Sequence, residues 1–153
     1  LKINKINNRT VWIADSFQGL PAPDPQRYPL DSESTLHTEP YLAVTEAEVR
    51  KNFEKYVIED SNTRFLKGWF KDTLPTAPIE RLSLLRLDGD LYESTMDALK
   101  ALYHRLAPGG YCIVDDYGAI PACRQAVEDF RQTAGIAGEI IPIDWTGVYW
   151  RKR

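Results

Sequence analysis

The stretch Leu82-Ser83-Leu84-Leu85-Arg86-Leu87-Asp88-Gly89-Asp90-Leu91-Tyr92-Glu93 is an apolar run that ends in two aspartates separated by a glycine. A second run behaves alike: Tyr111-Cys112-Ile113-Val114 leads straight into Asp115-Asp116-Tyr117-Gly118. With so little polar alternation, both runs predict strands covered on both faces. Parallel strands of an open α/β sheet present their C-terminal ends on one edge, where ligands bind. The expectation is therefore that Asp88, Asp90, Asp115 and Asp116 meet at that edge and hold a divalent cation.

The flanking sequence supports a parallel sheet. Thr10-Val11-Trp12-Ile13-Ala14 is β-prone and ends in Asp15. Residues 16–31 carry Gly19, Pro21, Pro23, Pro25 and Pro29. They cannot be helical, because each interior proline costs about 3 kcal/mol. A loop of this length is usually functional or disordered; the reading is an ordered binding loop at its start and a mobile one past Asp24. Thr45-Glu46-Ala47-Glu48 is a capping box, and Val49, Phe53, Tyr56 and Val57 then recur at helical spacing. Thr63 to Lys67 reads as a strand, followed by Gly68-Trp69-Phe70 and a turn or short helix at Asp72-Thr73-Leu74-Pro75. A helix from Ser94 places Met96, Leu99, Leu102, Tyr103 and Leu106 on one face, and Pro108-Gly109-Gly110 ends it. Pro121 suits the first turn of another helix, which stops near Gly135. Residues 139–143 and 147–151 suit an antiparallel hairpin around Asp144-Trp145-Thr146, with Trp145, Tyr149 and Trp150 packing in it. Alternating strands and helices closed by a hairpin predict a mostly parallel, doubly wound α/β sheet. Residues 1–8 fit the end of a helix or a frayed terminus.

Composition bounds the function. The 153 residues, 43% hydrophobic and 27% charged, suit one soluble domain spanning 1–153. A net charge of −3 gives no reason to expect nucleic acid or an anionic membrane as partner. No apolar run is long enough to span a bilayer. Cys112 and Cys123 are too few for a disulfide framework and read as reduced thiols in the cytoplasm.

Several carboxylates gathered in one cleft repel one another and raise each other's pKa. A hard divalent cation relieves that repulsion, and all-oxygen ligands favour Mg²⁺, Mn²⁺ or Ca²⁺ over Zn²⁺. The alternative is that these aspartates only cap the following helices or turns. Asp15, ending a strand, suits the hydrogen bonds of a ribose diol or a simple turn. Trp69 suits stacking on a purine or core packing. His37 lies in the irregular stretch within reach of a substrate, or in solvent; His104 reads as a solvated residue late in its helix. Neither a G-x-G-x-x-G nor a P-loop is present.

Together, these residues resemble the macrocin O-methyltransferase family, Mg²⁺- and S-adenosylmethionine-dependent enzymes that methylate sugar hydroxyls of antibiotics. The resemblance rests on Asp15-Ser16-Phe17-Gln18-Gly19-Leu20-Pro21, on Gly68-Trp69-Phe70-Lys71-Asp72-Thr73-Leu74-Pro75, and on Leu87-Asp88-Gly89-Asp90-Leu91-Tyr92-Glu93-Ser94-Thr95. It continues through Pro108-Gly109-Gly110, Asp115-Asp116-Tyr117, Ala122-Cys123-Arg124-Gln125-Ala126-Val127 and Ile143-Asp144-Trp145-Thr146-Gly147-Val148-Tyr149-Trp150. It implies a Rossmann-like methyltransferase sheet with strand order 3-2-1-4-5-7-6. It implies Asp88, Asp115 and Asp116 as metal ligands and Asp90 as general base. It also implies cofactor contacts from Asp15, Ser16, Phe17, Gly68, Trp69 and Asp88. The acceptor implied is a hydroxyl of a small-molecule sugar, and a homo-oligomer is left open.

Against the family pattern, the chain starts after the central strand and its glycine-bearing turn. The expectation is an N-terminally truncated sheet in which the strands at 11–14 and 82–87 flank a vacant place. Two rivals follow: a methyltransferase-like domain without cofactor binding or catalysis, and a flavodoxin- or receiver-like regulatory domain, which would lack the runs at 15–21 and 87–95.

Overall fold

In the computed structural model, the residues described are 6, 8–56 and 62–153. The elements in order are β1 (Val11–Asp15), α1 (Glu46–Lys55), β2 (Thr63–Lys67), α2 (Phe70–Thr73), β3 (Leu82–Leu87), α3 (Tyr92–Leu102), β4 (Leu106–Val114), α4 (Pro121–Thr133), β5 (Ile141–Pro142) and β6 (Val148–Arg151). They fall into two compact units. One comprises Leu1–Ala22 with Thr35–Thr73, the other Pro23–Ser34 with Leu74–Arg153.

In the first unit β1 and β2 pair in parallel, in register from Val11↔Thr63 to Asp15↔Lys67. Helix α1 starts on the expected capping box. The Thr45 hydroxyl accepts the Glu48 N–H, and the Glu48 carboxylate accepts the Thr45 N–H at 2.9 Å. Phe65 on β2 gathers the apolar contacts, with the rings of Phe53 and Phe17 at 6.0 and 6.1 Å. The predicted apolar face is shorter than its spacing: Tyr56 sits at the C-cap and is exposed, while Val57 lies outside the described residues, as do most of residues 1–8.

The second unit holds a four-stranded sheet, β3-β4-β6-β5. β3 and β4 are parallel, and β6 runs antiparallel to both β4 and β5. This is the expected parallel order with a reversed terminal hairpin. Among the described strands, β1 has β2 as its sole partner and β3 has β4. Two expectations are corrected. Among the described residues, β3 is covered on one face only: Leu85 and Leu87 are buried, whereas Leu84 is 51% exposed and Arg86 is exposed. β4 alternates in the same way, burying Cys112 and Val114 and exposing Tyr111. Their apolar runs hide a period of two, because Leu84 and Tyr111 occupy the outer face. β4 also begins earlier than expected. Pro108, Gly109 and Gly110 are strand residues, and the register shift between Leu82↔Leu106 and Leu84↔Tyr111 takes up the extra length.

Helices α3 and α4 cover the buried face. α3 starts at Tyr92, before Ser94, and buries Met96, Leu99 and Leu102. α4 has Pro121 at its first turn and buries Cys123, Ala126 and Val127. Met96, Leu99, Leu102 and Val127 each stabilise the fold by about 1.5–3 kcal/mol when fully buried. Trp150, 0% exposed, donates its indole N–H to the Tyr103 hydroxyl at 3.2 Å. Trp145 does not pack in the hairpin: it is 82% exposed, because Asp144 and Gly147 form the turn and leave its ring outside.

Candidate active site

Both parallel pairs end in acid at their C-terminal edges. In the first unit, Asp15 is the last residue of β1 and is exposed. Its Oδ1 accepts the Phe17 N–H at 2.6 Å, and its carbonyl accepts the Gly68 N–H at 2.9 Å. The two strand ends are thereby tied together, so Asp15 and Gly68-Trp69 share one edge. Ser16 is buried; its hydroxyl donates to the Gly19 carbonyl at 2.7 Å and accepts the Gln18 N–H at 3.0 Å. Phe17 is 4% exposed with φ of 57°. The side chains of Ser16 and Phe17 thus build the turn, leaving Asp15 as the exposed acceptor. Gly68 has φ of 141°, and a Cβ there would lie 2.6 Å from Thr73 Cγ2. Trp69 is half-buried, and its carbonyl accepts the N–H groups of Asp72 and Thr73. His37, in the same unit, is exposed in a 3₁₀ turn, and nothing around it assigns it a role.

In the second unit, β3 ends at Leu87 and β4 at Val114, with the Asp115 N–H bonded to the Leu87 carbonyl at 2.9 Å. Shortly after β3, Gly89, Asp90 and Leu91 form a tight turn, closed by the Leu91 N–H on the Gly89 carbonyl at 2.5 Å. Asp90 sits at its centre with φ of 49°. A non-glycine residue in that region costs of order 1 kcal/mol and marks functional sites more often than others. Gly89 sits close to the start of α3: a Cβ would stand 3.3 Å from the Thr95 nitrogen and Oγ1, a tight contact.

The turn puts Asp90 against Asp116. The Asp116 pKa is pushed up to about 6, by burial first and then by the charges of Asp90 and Asp88. Burial, and then Asp88, also raises the Asp90 pKa. Asp116 Oδ2 is buried without a hydrogen-bond partner among the described residues. Asp115 turns the other way, as adjacent residues of an extended chain do. Arg86 grips it in a fork, Nε at 2.8 Å and Nη2 at 2.6 Å from Oδ2.

These carboxylates are hard oxygen donors, the chemistry that would suit a hard divalent cation. An orphaned buried carboxylate oxygen and mutually repelling acids form the kind of oxygen cluster that Mg²⁺ or Mn²⁺ neutralises. The set is not closed, however. Among the described residues, no three acidic, His or Cys side chains are grouped to hold a metal. The charges of Asp90 and Asp88 act on Asp116; Asp115 is held by the guanidinium.

Two residues escaped the sequence reading. Arg86 lay inside a run read as buried strand. Asp31, 2% exposed, accepts the N–H groups of Tyr92 at 2.7 Å and Glu93 at 3.0 Å. The one available signal was negative: Leu91, at the N-cap of α3, has no side-chain acceptor of its own.

The fold is the α/β methyltransferase fold, with acid at the parallel strand ends. A family model described as Macrocin-O-methyltransferase (TylF) matches residues 1–152, and the chain belongs to that family. It is 52% identical over 155 residues to mycinamicin III 3''-O-methyltransferase of Micromonospora griseorubida, covering 99% of this chain and 61% of that protein. It is 56% identical over 144 residues to 8-demethyl-8-(2,3-dimethoxy-alpha-L-rhamnosyl)-tetracenomycin-C 4'-O-methyltransferase of Streptomyces olivaceus, covering 94% of this chain and 55% of that protein. The solved structure of the O-methyltransferase NovP superposes with a TM-score of 0.96 at 52% identity, over 99% of this chain and 63% of that one. The chain thus spans less than two thirds of the length of each.

Proposed function

We propose that the chain is the acid-bearing part of an O-methyltransferase that uses S-adenosylmethionine and a divalent cation to methylate a hydroxyl of a sugar-bearing natural product. The observation that carries this is the Asp88-Gly89-Asp90 turn set against Asp116, whose buried Oδ2 lacks a partner among the described residues. The relatives support the acceptor class, since one is named for a rhamnosyl-bearing compound. The family match runs through both units, which supports reading 1–153 as parts of one methyltransferase domain.

Asp88 and Asp116 would hold the cation, with Asp115 as third ligand once it leaves Arg86. Bound there, Mg²⁺ or Mn²⁺ supplies Lewis-acid charge that lowers the pKa of an acceptor hydroxyl. Asp90 receives the hydroxyl proton on its carboxylate; its raised pKa brings it nearer to what a general base needs at neutral pH. Asp15 accepts hydrogen bonds from the ribose diol of the methyl donor, with Gly68 and Trp69 beside the adenine. Ser16 and Phe17 contribute through the backbone of the turn they build. The free, buried cysteines support a reducing compartment, the cytoplasm. No helix among the described residues is long and apolar enough to cross a membrane.

The test is methyl transfer to rhamnosylated acceptors by a protein of the relatives' length. Asp88→Asn and EDTA each abolish it, whereas Asp90→Asn abolishes turnover and leaves Mn²⁺ affinity nearly intact. Full activity in EDTA would sink the metal role. Micromolar binding of S-adenosylhomocysteine in calorimetry separates the enzyme from a domain that cannot hold the cofactor.

A further inference from the structure

A buried carboxylate from a distant part of the chain caps the backbone two residues after Asp90. Asp31 lies at the end of the proline-rich segment Pro23–Ser34, which packs in the second unit although the chain on either side of it belongs to the first. Both of its oxygens are engaged: Oδ1 accepts the Tyr92 N–H at 2.7 Å and Oδ2 the Glu93 N–H at 3.0 Å. These are the first two helical residues of α3, whose orphan N–H groups need acceptors. A carboxylate there is also favoured by the helix dipole. Leu91 cannot supply this cap. The Tyr28 ring lies 6.1 Å from that of Tyr92 and adds a second contact between segment and helix.

The placement of the cap matters because of what precedes it. Tyr92 is two residues after Asp90, whose left-handed conformation is unfavourable and persists only when its surroundings over-determine it. On the N-terminal side the turn is held by β3. On the C-terminal side it is held by the Leu91 and Thr95 bonds and by the helix start that Asp31 fixes. Releasing Asp31 frees the far side of the turn, and with it the Asp90 carboxylate whose charge acts on Asp116.

We propose that Asp31 is a positioning residue for the acid cluster, fixing the start of α3 so that the Asp88-Gly89-Asp90 turn presents its carboxylates to Asp116. The proposal rests on the reading of that cluster as a cation and base site. It makes the segment Pro23–Ser34 part of the machinery that sets cation affinity, although none of its residues is a ligand.

The test compares Asp31→Ala and Asp31→Asn with Asp24→Ala in this chain. Asp24 lies in the same segment, where its exposed carboxylate accepts the N–H groups of Gln26 and Arg27. The first readout is Mn²⁺ affinity by titration. The second is hydrogen exchange of the Asp90 and Leu91 amides without metal. Asp31→Ala is expected to weaken Mn²⁺ binding about 10-fold, the usual scale for a group that orients a ligand, and to speed exchange at both amides. Asp31→Asn keeps one acceptor and falls between; Asp24→Ala matches the wild type. A folded Asp31→Ala with unchanged affinity and exchange overturns the proposal. If the wild type binds no Mn²⁺, the cation reading fails, and exchange alone decides the positioning role: faster exchange in Asp31→Ala supports it and unchanged exchange overturns it.

Discussion

Arg86 and Asp115 form a forked ion pair at the ends of neighbouring parallel strands, with the guanidinium 66% exposed and the carboxylate 23%. The pair offers Asp115 a counter-charge in place of a cation. As a largely solvated contact it is worth about 1 kcal/mol or less. Arg86→Gln is therefore expected to lower thermal stability only slightly in EDTA. It leaves the Asp115 carboxylate without its guanidinium, so added MnCl₂ is expected to raise its melting temperature more than it raises the wild type's. Equal increments in the two proteins would show that the guanidinium and the cation do not compete.

The carboxyl of Asp116 carries a pH signature. Burial, then Asp90 and Asp88, lifts its pKa from 3.8 to about 6 in the folded protein. The folded state then binds the proton more tightly than the unfolded one, so stability falls with rising pH through that window. The contribution is fully present below 3.8 and lost as pH climbs through about 6. Asp90 is shifted the same way. Melting temperatures taken across this range should decline toward neutrality without metal. Asp116→Asn should flatten the decline, and Mn²⁺ should reverse it above pH 6, where the carboxylate is free to bind. A wild-type profile that rises through the same window would contradict the assignment.

Gly68 is fixed by two independent constraints, its φ of 141° and the 2.6 Å approach of Thr73 Cγ2 to where a Cβ would lie. Gly68→Ala should destabilise by about 1–3 kcal/mol, the range for a strained backbone position. Thr73→Ser removes the clashing methyl while keeping the hydroxyl that donates to the Trp69 carbonyl. The double variant should recover part of the loss in denaturant unfolding, with the backbone share remaining. Full recovery would assign the whole cost to the methyl contact; none would assign it to the backbone.

Local chemistry was legible in the sequence wherever one residue decides the local structure. Thr45 and Glu48 announced α1, Pro121 announced α4, and Asp15, Asp88 and Asp116 stood at the strand ends where they were expected. What failed was anything that depends on what lies opposite. Leu84 and Tyr111 are as apolar as their neighbours, so nothing in the runs marked them as an outer face. Trp145 looked like a packing residue until the turn made by Asp144 and Gly147 put it in solvent. Arg86 was hidden in an apolar run, and its hold on Asp115 exists only through the pairing of β3 with β4. Asp31 was illegible for a similar reason: its partners lie on α3, and no local pattern connects them.

The Asp31 cap has a kinetic corollary. Its partners are 61 and 62 residues away in sequence, so closing it costs loop entropy that a local cap would not. A bond of that range is expected to form late in folding, because its loop must close first. Interactions absent from the transition state act on the unfolding rate rather than the folding rate. Asp31 therefore lengthens the lifetime of the folded state: its removal should quicken unfolding while refolding proceeds at nearly its normal pace.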